Sequence, residues 1–105
     1  MNKYGLTQRL AQIFSEEDSK LARDILLFLK SQSQMPRHSK GYKGVTYGQL
    51  EKKVSYRTEE KEQFNRVFEQ LTYRGYINSK NSRYFSISNM SLNAFGERRK
   101  RRIIH

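Results

Sequence analysis

Apolar residues in this chain recur at helical intervals in two separate stretches, and that spacing constrains the fold more than any other feature. Leu21, Ile25, Phe28 and Leu29 stand four, seven and eight residues from the first of them, and Phe64, Val67, Phe68 and Leu71 three, four and seven. Each set lines one side of an amphipathic helix, so each predicts a helix with a single buried stripe. With 105 residues, of which 35% are hydrophobic, the two stripes must meet in one lean core, and a second domain has no room. Cysteine is absent, which excludes disulfide frameworks, thiolate metal sites and cysteine nucleophiles together.

The punctuation around these stripes fixes the element order. Leu6, Leu10, Ile13 and Phe14 predict a short N-terminal helix over 1–14. Ser15 before Glu16, Glu17 and Asp18 is a helix start: the hydroxyl caps a free amide and the acids suit the positive end of the dipole. Residues 31–44 hold the chain's one proline and two glycines among Arg37, His38, Lys40 and Lys43 and read as a loop. Thr46-Tyr47-Gly48-Gln49 has the spacing of a capping box and opens a short helix with Leu50 and Val54 inward. A turn over 55–57 leads to the longer helix, predicted over 58–74 and ended by Gly75. Tyr76-Ile77 and Arg83 to Ile87, on either side of a polar stretch, predict a hairpin with Ile77, Phe85 and Ile87 inward. Residues 91–105 predict a last, basic helix or tail.

This order of helix, loop, short helix, turn, longer helix, glycine and hairpin resembles the winged helix-turn-helix superfamily over about Ala22 to Ile87. The match lies in Gly44 to Val54 as the first helix of the motif, and in Phe64, Val67, Phe68, Leu71 and Gly75-Tyr76-Ile77 as recognition helix and first wing strand. Phe85 and Ile87 match the returning strand. One departure is a connection from Val54 to Phe64 that is about three residues longer than in a compact motif, with Glu59, Glu60 and Glu62 in it. The resemblance implies a mainly α fold with a small β-hairpin and extra helices at both ends, organised as 1–14, a core over 15–90, and a tail over 91–105.

The net charge of +11 points to a polyanionic partner, since self-repulsion of that size opposes compaction unless something relieves it. The excess is local: residues 33–57 carry six bases against one acid and residues 80–105 seven against one, while the rest is nearly balanced. Together with the resemblance this implies sequence-specific binding of double-stranded DNA, by a small transcription regulator or a plasmid or viral DNA-maintenance factor. In such domains the exposed side of the recognition helix enters the major groove. Lys61, Gln63, Asn65 and Arg66 are then the base-reading candidates: the amides pair with adenine and Arg66 with guanine, or all four are solvated helix residues. Backbone candidates are Lys52, Lys53, Tyr56, Arg57, Lys80, Asn81, Ser82 and Arg83, with Arg98, Arg99, Lys100, Arg101 and Arg102 in the tail. Leu6, Leu10, Ile13 and Phe14 are more apolar than an isolated end helix requires and are candidates for a homodimer contact.

Enzymatic chemistry has no foothold in the residues. His38 and His105 lie apart without neighbouring acids, and neither a nucleophile elbow nor a phosphate-binding glycine loop occurs. No cofactor, metal or small-molecule ligand is expected. The longest apolar run, Ile25 to Leu29, is far short of the roughly 20 residues that span a bilayer. A cytoplasmic protein is expected, at the nucleoid in a prokaryote or in the nucleus of a eukaryote. The alternative is an interaction module that meets a protein through its acidic helix and RNA or another polyanion through its basic segments.

Overall fold

A computed structural model describes residues 5–34, 44–54 and 61–95. The chain runs α1 (Gly5–Ile13), α2 (Glu16–Ser33), β1 (Val45–Thr46), α3 (Tyr47–Val54), α4 (Lys61–Tyr73), β2 (Ile77–Lys80), β3 (Tyr84–Ile87) and α5 (Asn89–Ala94). It is mainly helical, with one three-stranded antiparallel sheet in the order β1-β3-β2.

α2 is the hub of the core. It packs against α1, α3, α4 and β3, and therefore buries more than the single stripe its spacing predicts. Ala22 and Leu26 join Leu21, Ile25 and Leu29 in the interior, while Phe28 is only half-buried against it. A helix enclosed on several sides buries neighbouring stripes, each large apolar side chain contributing about 1.5–3 kcal/mol. Ser15 caps α2 as expected, its hydroxyl accepting from the Asp18 amide at 3.2 Å.

Leu6 and Leu10, expected to meet a second copy of the chain, are instead 2% and 1% exposed within their own. α1 folds back onto α2 and α5, and Ile13 and Phe14 pack against the same core. The apolar excess of the N-terminal helix is thus used inside the chain.

The sheet corrects a second expectation. Val45 and Thr46 are a strand, with Val45 opposite Phe85 and Thr46 opposite Tyr84, where the sequence pattern places the opening of the helix-turn-helix motif. Thr46 serves both elements: its hydroxyl accepts from the Gln49 amide at 3.2 Å, and the Gln49 side-chain oxygen accepts from the Thr46 amide at 3.0 Å. The capping box is complete, so α3 starts directly from the sheet.

α4 ends as its glycine predicts. Gly75 has φ +88°, its amide donates to Thr72 O at 3.2 Å, and the Tyr76 amide donates to Leu71 O at 2.9 Å. This is a Schellman cap, and the residues it joins, Leu71 and Tyr76, are both buried. β2 then runs through Lys80, further than expected, which shortens the hairpin loop to residues 81–83. Asn81 and Ser82 both take left-handed backbone, at φ 58° and 55°, and the Arg83 amide donates to Lys80 O at 3.0 Å. Asparagine tolerates that conformation better than serine. Ser82→Gly is therefore expected to stabilise the protein by about 0.5–1 kcal/mol, the relief of left-handed strain outweighing the greater freedom of glycine in the unfolded chain. An unchanged or lower urea midpoint counts against that account of the turn.

α5 begins earlier than the sequence pattern places it. Ser88 caps it by accepting from the Ser91 amide at 3.2 Å, and the Ser91 hydroxyl donates to Tyr76 O at 2.8 Å. Ser91 and Ala94 are buried, so a boundary at residue 90 cuts through a packed helix. The basic run Arg98 to Arg102, the loop at Tyr56 and Arg57, and the start of the 58–74 helix before Lys61 lie outside the described residues. Among the described residues no helix is long and apolar enough to cross a membrane.

Candidate nucleic-acid interface

Four aromatic rings hold α3, α4 and β3 together under the candidate surface. Tyr47 meets Phe64 and Phe68 edge-on, with centroids 5.4 and 5.0 Å apart, and Phe68 meets Phe85 edge-on at 4.8 Å. Such pairs contribute roughly 0.5–1.5 kcal/mol each beyond the area they bury. They fix the spacing between the start of α3, the flank of α4 and the hairpin. An open groove of about 610 Å³ lies between these three parts, lined by Thr46, Tyr47, Gly48, Asn65, Phe68, Glu69, Ser82, Arg83 and Phe85. Phe68 and Phe85 are almost entirely buried, so they form its floor.

The expected base readers on α4 fall into two groups. Gln63 and Arg66 turn toward α2. The Gln63 amide nitrogen donates to Asp18 Oδ1 at 2.8 Å, and Arg66 Nη2 donates to both oxygens of the same carboxylate, at 3.2 and 3.0 Å. The Asp18 side chain is only 13% exposed and that of Arg66 57%, so this is a half-shielded ion pair. Lys61 pairs with Glu51 of α3, Nζ to Oε2 at 3.4 Å. Of the four, Asn65 alone lines the groove.

With Phe64, Val67, Phe68 and Leu71 inward, helical geometry puts Glu62, Arg66, Glu69 and Tyr73 on the strip farthest from the core. The exposed charges described on α4 are two bases and two acids, and both bases are paired with acids of other helices. This side of α4 is therefore not cationic. Around the groove, Lys52 and Lys53 at the end of α3, and Lys80 and Arg83 on the hairpin, are exposed and form no ion pair among the described residues, as is true of Arg9, Lys20 and Arg23 on α1 and α2. Asn81 and Ser82 are exposed between the last two. Lys52 follows Gly48 by one helical turn and so shares the groove side of α3.

One residue of the groove, Glu69, is not singled out by the sequence pattern, while Tyr47 is one of several tyrosines that stand among basic residues in the sequence. Glu69 stands one turn beyond Asn65, a spacing visible in the sequence once the groove side of α4 is known. The Tyr47 hydroxyl is buried and has no hydrogen-bond partner among the described residues. Burial pushes its phenol above the ordinary tyrosine range, and the carboxylates of Glu51 and Glu69 push it the same way. It stays protonated, a donor without an acceptor at the edge of the groove.

No protein-family model, curated protein or solved structure matches the chain.

Proposed function

We propose that the chain is a winged helix-turn-helix protein that binds double-stranded DNA, as a small transcription regulator or a factor maintaining plasmid or viral DNA. The observation that carries this reading is the succession of α2, β1, α3, α4 and a basic hairpin, with the strands ordered β1-β3-β2. That arrangement sets Arg83 of the hairpin opposite Asn65 of α4 across one open groove. In this reading α3 and α4 are the two helices of the motif and the hairpin is its wing. The free cations Lys52, Lys53, Lys80 and Arg83 take phosphates, which need only a positive donor near the strand. Gln63 and Arg66 are held by Asp18 and take no part in base reading.

A titration of affinity against salt tests the reading. If all four cations neutralise phosphates, the logarithm of the duplex binding constant falls against the logarithm of salt with a slope of at least about −3.6, at −0.9 per phosphate. Absence of duplex binding at low salt rejects the proposal.

A second reading has one observation in its favour. Glu62 and Glu69 lie on the outward strip of α4, and Tyr73 at its end is 85% exposed. Such a strip suits a protein partner, with RNA or another polyanion on the basic segments. Preference for RNA or single-stranded DNA over duplex, measured side by side, supports this second reading against the first.

A further inference from the structure

We infer that base selection is made by Asn65 and Glu69 on the groove side of α4, with adenine facing Asn65 and cytosine facing Glu69, while Arg83 fixes the strand between helix and hairpin. This rests on the duplex-binding reading above and assigns its specificity to a pair of residues.

Lys61 is engaged by Glu51, and Gln63 and Arg66 share the Asp18 carboxylate, so none of the three is without a partner. Asn65 and Glu69 are exposed, line the groove and make no hydrogen bond or ion pair among the described residues. They stand four residues apart, about 6 Å along the helix. Base pairs rise about 3.4 Å each, so the two side chains reach bases one or two steps apart.

The chemistry of each then selects its base. Asparagine offers one acceptor and one donor edge, which matches N6 and N7 of adenine. A carboxylate only accepts. It suits the N4 amine of cytosine and rejects guanine and thymine, whose major-groove edges are acceptors or methyl. Phosphates repel Glu69, so it is tolerated only over a base edge, and Arg83 on the facing side of the groove gives the strand a cationic anchor. A groove with a carboxylate on one side and a guanidinium on the other thus fits a nucleic-acid strand with its base edges toward α4 and its phosphates toward the hairpin.

Selection from a random duplex library with the full chain tests this. Because Asn65 and Glu69 are exposed and make no hydrogen bond or ion pair among the described residues, thermal melts of their variants should coincide with that of the parent, whereas Arg66→Ala, which leaves Asp18 with Gln63 alone, should lower the midpoint. Glu69→Gln converts the acceptor into the adenine-matching amide, so the preferred base at one position is expected to change from cytosine to adenine, by about tenfold or more. Asn65→Ala is expected to relax a preference for adenine one or two base pairs away. Arg66→Ala is expected to leave the selected sequence unchanged. Duplex binding whose selected sequence ignores Glu69→Gln and Asn65→Ala, or follows Arg66→Ala, overturns the inference and leaves the function standing. Equal binding of every duplex by the parent overturns the inference and the regulator role with it, and leaves only duplex binding standing. If the parent binds no duplex, function and inference fall together.

Discussion

Gly44→Ala is expected to destabilise the protein by about 2–4 kcal/mol and to lower its thermal midpoint by roughly 10 °C or more. Gly44 has φ +113°, a conformation that L side chains rarely adopt. A β-carbon there would stand 2.6 Å from the carbonyl oxygen of Phe85, 2.9 Å from its carbonyl carbon and 3.0 Å from its nitrogen. These are backbone atoms of β3, at the residue paired with Val45, so they cannot retreat without opening the β1 edge. Gly48 supplies the control. It lies inside α3, no heavy atom comes within 4 Å of an added β-carbon, and its φ is not positive, so Gly48→Ala is expected to stabilise by up to about 1 kcal/mol. Equal melting of the two variants would remove the close approach of Gly44 to β3 as a determinant of the fold.

Replacing Lys80 and Arg83 together by alanine is expected to weaken binding to every duplex alike and to make the salt slope shallower by about 1.8, at 0.9 for each phosphate no longer neutralised. Both side chains are exposed and form no ion pair among the described residues, so stability should stay within about 0.5 kcal/mol of the parent. The comparison separates two models of the hairpin. If it grips phosphates, slope and affinity fall together. If it is only kept soluble by its charge, neither changes, and the interface moves to α3 and the segments around it.

Local signals in the sequence carry most of the element order, because each rests on residues within a few positions of one another. The Ser15 and Thr46–Gln49 caps, the Phe64 to Leu71 stripe and the Gly75 terminus all stand where their chemistry predicts. What the sequence does not reveal depends on distant partners. β1 is two residues long, too short for an alternating pattern, and exists because Phe85 and Tyr84 pair with it. Helical periodicity turns Gln63 and Arg66 away from the core but says nothing of what stands beside them, and Asp18 is 45 and 48 residues away. The apolar surplus of Leu6 and Leu10 fits a second copy or the chain's own interior equally well in sequence, and only the return of α1 onto α2 and α5 decides between them. Glu69 is hidden for a related reason: the hairpin defines which flank of α4 forms a groove wall, and that wall lies beyond what the α4 pattern encodes.

Thr46 joins two kinds of architecture in a single residue, the last of a strand and the cap of the helix that follows. No slack linker separates them, so β1 and α3 behave as one rigid lever. Tension applied to the hairpin reaches the first amides of α3 through the β3 pairing. An event that peels β1 away also uncaps the helix, and native-state hydrogen exchange should record the amides of Thr46 and Gln49 opening in the same step.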